Sequence, residues 1–132
     1  MASILKVDTI TGVTTAGSIA VTSEGNSTTT NLQQGLAKAW IKYNGTGTIA
    51  ITDSFNVASI TDETTGTTTV TFTGAMGNAN YSIKGQNSDG SLHIQVIDTN
   101  QATSAYRQRT LDGSGSLADD NAVYGDTHGD LA

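Results

Sequence analysis

Short runs of β-branched and aromatic residues, separated by tight-turn sequences, dominate residues 39–83. The turn sequences include Asn44-Gly45, Thr46-Gly47 and the stretch that ends at Gly66. β-branched and aromatic residues favour strands, and glycine-containing dipeptides favour hairpin turns. Within several runs apolar residues alternate with Thr, Ser, Lys, His or Gln, which gives each strand one core face and one solvent face. The segment therefore predicts antiparallel strands joined by hairpins.

Seven strands are predicted, at residues 39–43, 48–52, 55–61, 67–73, 79–84, 91–98 and 104–110. Several short strands with turn signals between them are typical of a sandwich or barrel. The expected fold is all-β: a small antiparallel β-sandwich or barrel preceded by an extended N-terminal arm and one short helix. The expected organisation is an arm (1–30), a helix (31–40), a β-domain (40–110) and an acidic, Gly- and Asp-rich tail (111–132).

The predicted helix carries one apolar stripe. Leu32, Leu36 and Trp40 recur at i, i+4 and i+8, with Ala39 beside them, and Asn31 can cap the first turn. A helix of this length is unstable alone and needs a partner surface. We expect the stripe to form an oligomer seam with the same helix of sister chains or to pack on the chain's own β-domain, and the two interpretations have similar weight.

Large apolar side chains are scarce in this chain. Leu, Ile, Val and Phe together occupy 26 of 132 positions, and no cysteine is present. A small domain with so little apolar area is marginally stable, and it has no disulfide or zinc-finger ligand set to support it. Subunit association is the remaining common way to stabilise such a chain. We therefore predict an obligate homo-oligomer.

The first thirty residues are rich in Ser, Thr and Gly, with isolated apolar islands. The first island comprises Ile4, Leu5, Val7 and Ile10. These residues are too sparse to form a core. We expect them to act as an attachment arm that adds a strand to a neighbouring subunit or docks on a larger assembly.

Charge and hydropathy exclude several classes of partner. The net charge is −6 and the six basic residues are mostly scattered, which argues against nucleic acid as the main ligand. No apolar run approaches the ~20 residues that cross a bilayer, so no membrane insertion is expected. The N-terminus lacks the apolar region of a signal peptide, and we expect assembly in the cytoplasm of the producing cell.

Candidate catalytic chemistry is sparse. His93 and His128 are the only histidines, and neither accompanies a cysteine or a recognisable serine–acid arrangement. The sequence therefore predicts no enzyme, no catalytic residue and no cofactor. Oxygen-bearing side chains cluster near the end of the chain, but their spacing does not match a calcium loop, so a solvated acidic tail is favoured over a metal site. They are Asp112, Asp119, Asp120, Asp126 and Asp130, and the imidazole of His128 lies among them in the sequence.

Two arginines and two tyrosines are candidates to face a receptor. Arg107 and Arg109 alternate in one predicted strand and share a face, where they can pair with acidic side chains or contact an anionic glycan. Tyr81 and Tyr106 are large aromatics, and exposed aromatic rings with polar neighbours often stack on sugars. Trp40 ends the apolar stripe, so burial between subunits is the favoured interpretation for it.

Several blocks of this sequence resemble bacteriophage proteins. Ser3-Ile-Leu-Lys-Val-Asp-Thr-Ile10 is similar to the opening of fibre-type proteins of marine phages. Ala39-Trp-Ile-Lys-Tyr-Asn-Gly-Thr-Gly47, residues 53–62 and residues 79–83 are similar to a tail-fibre β-domain. The resemblance, which is to a marine or cyanophage-type family, covers about half of the chain and implies a virion structural protein, normally trimeric, on the tail or head surface.

The resemblance gives no catalytic residue to transfer, and it leaves three roles open. The first is a trimeric tail fibre, appendage or fibre adaptor, which contacts other virion proteins of the tail or capsid. The second is a capsid decoration or head-fibre protein. The third is a lectin-like receptor-binding module for a host-surface glycan. All three imply localisation in the virion.

Overall fold

The computed structural model describes residues 4–12, 19–22, 28–88 and 93–131. The chain divides into two compact units, Met1–Leu36 and Ala37–Ala132. In the first unit, β1 (Ala20–Thr22) pairs antiparallel with β2 (Thr29–Asn31), and α1 (Leu32–Gly35) follows directly. Asn31 caps α1, as predicted, because its Oδ1 accepts a hydrogen bond from the backbone N–H of Gln34 at 3.1 Å. Residues 4–12 belong to no helix or strand.

The second unit is built from two four-stranded antiparallel sheets. Its strands are β3 (Ala39–Asn44), β4 (Ala50–Phe55), β5 (Val57–Thr64), β6 (Thr67–Phe72), β7 (Ser82–Asn87), β8 (His93–Val96), β9 (Ala105–Leu111) and β10 (Val123–His128). The strand order is β4–β3–β10–β7 in one sheet, called the front sheet, and β5–β6–β9–β8 in the other, called the back sheet. The predicted all-β class is confirmed, and each of the seven predicted strands overlaps an observed one.

Alternating side chains of both sheets form the core. Tyr43 of β3 and Gln108 of β9 join the two sheets directly, since the Gln108 side-chain amide donates a hydrogen bond to Tyr43 Oη at 2.8 Å. Phe72 lies with its ring centroid 5.7 Å from those of both Tyr81 and Tyr106. This single layer between two sheets is the arrangement of a β-sandwich. The buried apolar residues are Ala39, Ile41, Tyr43, Val70, Phe72, Met76, Tyr81, Tyr106 and Val123.

A pair of glycines lets the two sheets approach closely. Gly85 of β7 and Gly125 of β10 are opposite each other in the front sheet. A Cβ at position 125 would lie 2.8 Å from Tyr106 Oη, and a Cβ at position 85 would overlap the side chain of Ile94. Both glycines therefore make room for back-sheet side chains against the front-sheet backbone.

Asn56 directs the chain from the front sheet into the back sheet. It lies between β4 and β5 with φ of 56°, a left-handed conformation that asparagine adopts more readily than most residues. Its Nδ2 donates to the carbonyls of Lys38 (3.0 Å) and Gly74 (3.1 Å), and its Oδ1 accepts from the Gly74 N–H (2.7 Å). The side chain thus ties the crossing to two neighbouring segments.

The helix predicted over residues 31–40 is wrong in extent. α1 ends at Gly35, and β3 begins at Ala39. Glycine is a poor helix former, and a single turn has too few hydrogen bonds to propagate. From Ala39 onward every second side chain is buried, so the strand alternation prevails over the four-residue spacing that ends at Trp40.

The solvated tail predicted over residues 111–132 is also wrong. Residues 123–128 form β10, which pairs with β3 on one side and β7 on the other. Asp120 is buried and accepts hydrogen bonds from Ser88 N–H at 3.1 Å and Ser88 Oγ at 3.0 Å. Asp119 accepts one from the Gly66 N–H at 2.5 Å. The acidic end of the chain therefore belongs to the sandwich, because β10 pairs with two strands and the carboxylates of Asp119 and Asp120 accept hydrogen bonds from neighbouring segments.

Candidate functional site

Strand register places two rows of side chains on the outer face of the front sheet. One row runs across the sheet through Phe55, Trp40, Asp126 and Lys84, which are successive cross-strand neighbours. The parallel row, two residues along each strand, runs through Asp53, Lys42, Tyr124 and Gln86. Because successive residues of a strand point to opposite faces, the outward set is the counterpart of the buried set described above.

All of these side chains except Phe55 line a concavity of about 410 Å³, called the front groove here. Small-ligand sites in proteins commonly have volumes of about 300–1,000 Å³. Its lining combines two aromatic rings, charges of both signs and one carboxamide. The side chains are Trp40, Lys42, Asp53, Lys84, Gln86, Tyr124 and Asp126, with Ile41, Gly85 and Gly125 contributing between them.

Two aromatic rings give the front groove its apolar surface. Trp40 is 39% exposed and Tyr124 is 38% exposed. They occupy diagonal positions on adjacent strands, since Trp40 is opposite Asp126 and Tyr124 is opposite Lys42. Diagonal positions are roughly 7–8 Å apart, so one ligand can touch both rings. The ammonium of Lys42 lies 5.5 Å from the centroid of the Tyr124 ring, which is cation–π distance.

The charged side chains of the front groove are separated from each other. Within the described part of the chain, neither Lys42 nor Lys84 lies within ion-pair distance of a carboxylate. Asp53 accepts a hydrogen bond from the backbone N–H of Ser54 at 2.9 Å. Asp126 lies 3.8 Å from Nδ1 of His128, an ion pair only when the imidazole is protonated. Both lysines therefore retain hydrogen-bonding capacity toward a ligand.

The predicted oligomer seam is not a continuous stripe. Leu32 lies in α1, Leu36 follows the end of that helix, and Ala39 and Trp40 belong to β3. Ala39 is buried in the core, whereas Trp40 points outward into the front groove. The helical basis of the seam is thus wrong, because the helix ends before Ala39.

The two tyrosines expected to face a receptor are buried, and this prediction is wrong for both. Burial raises the pKa of Tyr81 to about 12 and raises the pKa of Tyr106 further above its ordinary value. Tyr81 Oη donates toward the carbonyls of Ala102 (2.7 Å) and Ala105 (3.0 Å). Both rings serve the core because they lie on inward positions next to Phe72.

The two arginines lie on the outer face of the back sheet, on the opposite side of the sandwich from the front groove. Arg107 and Arg109 are cross-strand neighbours of Thr69 and Thr67. Arg107 is half-buried and forms an ion pair with Glu63 at 3.1 Å, whereas Arg109 is exposed. Their predicted common face agrees with this register.

The apolar residues of the predicted attachment arm are all exposed. Ile4, Leu5, Val7 and Ile10 have between 53% and 81% of their surface accessible. Val13, a further apolar residue within the first thirty, lies outside the described residues. The arm therefore presents unburied aliphatic side chains.

The front groove contains residues that the sequence-based prediction missed. The sequence patterns predict no role for Tyr124, Gln86 or Lys84. A usable signal was the alternation of Trp40 and Lys42 with buried Ile41 inside one strand. The remaining lining residues are brought together only by strand register.

Comparison of the chain with protein-family models, with curated proteins and with solved structures gave no match. Across the described ranges, no group of three or more His, Asp or Glu side chains is placed to hold a metal ion. Within the same ranges no helix has the length and apolar character needed to span a bilayer.

Proposed function

We propose that this chain is a non-enzymatic structural protein of a bacteriophage virion, part of a tail fibre or fibre adaptor, and that it assembles as a homotrimer. The observation that carries the proposal is the exposed apolar arm. Its four aliphatic side chains are each more than half exposed, and burying a side chain of this kind contributes roughly 1.5–3 kcal/mol. Such a surface suits contact with another chain.

The proposal is also supported by the resemblance of several sequence blocks to a tail-fibre β-domain. These blocks contain residues that determine the path of the chain. In block 39–47, Asn44 Oδ1 accepts hydrogen bonds from Thr46 N–H (3.0 Å) and Thr46 Oγ1 (2.8 Å), and Gly47 has φ of 65°. Block 53–62 contains Asn56, where the chain changes sheets. The resemblance therefore involves residues with structural roles, and the virion role extends it by analogy.

The location of the trimer contacts differs from the seam expected on a helical stripe. That stripe does not exist, whereas the arm residues offer apolar area in a chain whose core is small. The proposal therefore assigns the main subunit contacts to Ile4, Leu5, Val7 and Ile10. The arm can bind sister chains, other virion proteins or both. An experiment on the purified chain in solution detects self-association without the other virion proteins.

Light scattering after size-exclusion chromatography tests the trimer. The full chain is expected to elute at three times its 13.6 kDa mass. Replacing Leu5 and Val7 with Asp should produce monomers, because desolvating the new charges costs more than the contact provides. The matched control replaces Thr9 and Thr11 with Asp, which adds the same charge to the same arm and should leave the trimer intact. A monomeric parent chain would contradict the trimer.

Quantitative mass spectrometry of purified particles tests the virion role. For a tail component we expect far fewer copies than of the major capsid protein. A copy number comparable to that of the capsid protein would instead favour the decoration or head-fibre alternative. Absence of the chain from particles whose genome encodes it would overturn the virion role.

A further inference from the structure

We infer that the front groove is a binding site for a neutral oligosaccharide, in which Trp40 and Tyr124 stack on sugar rings and the charged and amide side chains bind hydroxyl groups. The inference goes beyond the virion role. It depends only on the outer face of the front sheet, so it can hold or fail whichever assembly contains the chain.

The first argument is the placement of the aromatic rings. The other three tyrosines of the chain are buried in the core, where their apolar area stabilises the fold. Trp40 and Tyr124 instead point outward into the same concavity. A sugar ring has one face made of C–H groups, which packs on an aromatic ring while its hydroxyls reach polar neighbours.

The second argument is the mixture of donors and acceptors. A hydroxyl group both donates and accepts hydrogen bonds, so a polyol is best bound by side chains of both kinds. The front groove provides ammonium donors, carboxylate acceptors and, at Gln86, a carboxamide that is both. Hydrogen bonds to charged groups are stronger than neutral ones. Because Lys42 and Lys84 form no ion pair with any described residue, both ammonium groups can serve a ligand.

The third argument is the charge balance, which favours a neutral ligand. The two lysines of the front groove are matched by Asp53 and Asp126. A polyanion such as a nucleic acid or an acidic polysaccharide would meet these carboxylates as well as the net charge of −6 on the whole chain. A neutral oligosaccharide meets no such repulsion.

The fourth argument is preorganisation. The lining side chains stand on strands of one sheet rather than on long loops, and their backbones are fixed by the β3–β10 and β10–β7 pairings. Tyr124 and Lys42 are cross-strand neighbours within this pairing. A site whose groups are already in place loses less entropy on binding.

The sequence offers a direct reporter for the test, because Trp40 is the only tryptophan. The full chain is applied to an array of neutral and acidic oligosaccharides, and each hit is titrated by calorimetry and by tryptophan fluorescence. We expect neutral hits, and we expect the fluorescence change to saturate with the affinity measured by calorimetry.

Variants assign the binding to the front groove. Tyr124→Ala should weaken binding at least tenfold, and Gln86→Ala should weaken it several-fold. The matched control is Gln95→Ala, an exposed glutamine on the outer face of the back sheet, which should bind within twofold of the parent. Circular dichroism melts check that each variant is folded, and Gln86→Ala tests the site without removing an aromatic ring.

Several results would overturn the inference. These are the absence of neutral hits with folded protein, hits confined to acidic glycans, and binding that is indifferent to both Tyr124→Ala and Gln86→Ala. A fluorescence change that follows protein concentration instead of sugar would show that a second copy covers Trp40. The chain in which Leu5 and Val7 are replaced with Asp separates the two proposals. If this variant is monomeric and still binds sugar, the sugar site does not depend on trimer formation.

Discussion

On the outer face of the back sheet, Glu63, Thr69 and Arg107 bind one another, whereas the two lysines of the front groove have no carboxylate partner among the described residues. Glu63 accepts a hydrogen bond from Thr69 Oγ1 at 2.7 Å and pairs with Arg107 at 3.1 Å. Arg107 Nε in turn donates to Thr69 Oγ1 at 3.2 Å. In the front groove, Lys84 has no described carboxylate partner, and Lys42 lies over an aromatic ring.

Both faces come from the same alternation of inward and outward residues, so polarity alone does not distinguish them. The back face is rich in threonine, and one of these threonines, Thr69, is hydrogen-bonded to both members of the Glu63–Arg107 ion pair. The front face combines aromatic rings with polar groups that keep bonding capacity. The contrast therefore lies between one linked group of polar side chains on the back face and separated charges beside two aromatic rings in the front groove.

The two sheets also differ at their hairpins. Gly47, between β3 and β4, and Gly66, between β5 and β6, have nearly the same conformation, with φ of 65° and 64°. A Cβ at position 47 would meet open space, whereas a Cβ at position 66 would lie 2.6 Å from the carbonyl oxygen of Thr110 and 2.7 Å from the N–H nitrogen of Ala118. Position 47 of the front hairpin thus faces open space, whereas position 66 of the back hairpin packs against Thr110 of β9 and Ala118 in the segment that follows β9.

The largest expected effect separates these two hairpins. Gly66→Ala should lower the free energy of unfolding by about 3 kcal/mol, because left-handed strain adds to a clash with backbone atoms that cannot rotate away. Gly47→Ala should cost about 1 kcal/mol, because it carries the strain alone. Urea titration of both variants measures the difference. Equal losses would show that the close contacts of Gly66 have no energetic weight.

An intermediate effect is expected at the crossing between the sheets. Asn56→Gly keeps the left-handed backbone accessible but removes three side-chain hydrogen bonds, and it should cost about 2 kcal/mol. Asn56→Ala loses the same bonds and adds conformational strain, so it should be about 1 kcal/mol less stable than the glycine variant. Thermal melts of the two variants provide the comparison. An alanine variant as stable as the glycine variant would show that strain at this position is negligible.

The strands that could be predicted from the sequence are those with apolar inward residues. In β6, Val70 and Phe72 are separated by threonine, and the strand was predicted within one residue. In β10 the inward positions are Val123, Gly125 and Thr127, so only one of them is a large apolar residue. Position 125 has no room for a side chain because Tyr106 fills that space. A strand whose inner face is shaped by another sheet shows no local hydrophobic pattern.

The front groove was harder to predict than the fold for a related reason. Trp40 falls within both the predicted helix (31–40) and the predicted strand (39–43), because its spacing from Leu36 competes with the alternation of β3, and only tertiary pairing decides between the two periods. Tyr124 and Lys84 lie on strands far from Trp40 in sequence. Their common location depends on the register of β10 between β3 and β7, which no local pattern specifies.

The smallest expected effect tests whether the hydrogen bond from Thr69 stabilises the ionised carboxylate of Glu63 on the outer face of the back sheet. The pKa of Glu63 is lowered from 4.5, chiefly by the hydrogen bond from Thr69 and secondarily by the charge of Arg107. A carboxyl whose folded pKa lies below its unfolded pKa stabilises the fold above about pH 4.5, and this contribution disappears as the pH falls through the folded pKa. Thr69→Val should therefore raise the Glu63 pKa toward 4.5 and flatten the acid limb of the curve of unfolding free energy against pH.

The matched control is Thr71→Val, two residues along the same strand, which should leave the Glu63 pKa unchanged. Carbon-detected NMR titration of the Glu63 carboxyl measures both variants. If the two variants gave the same Glu63 pKa as the parent chain, the outward polar groups of the back sheet would be as independent as those of the front groove, and the contrast between the faces would lose its physical basis.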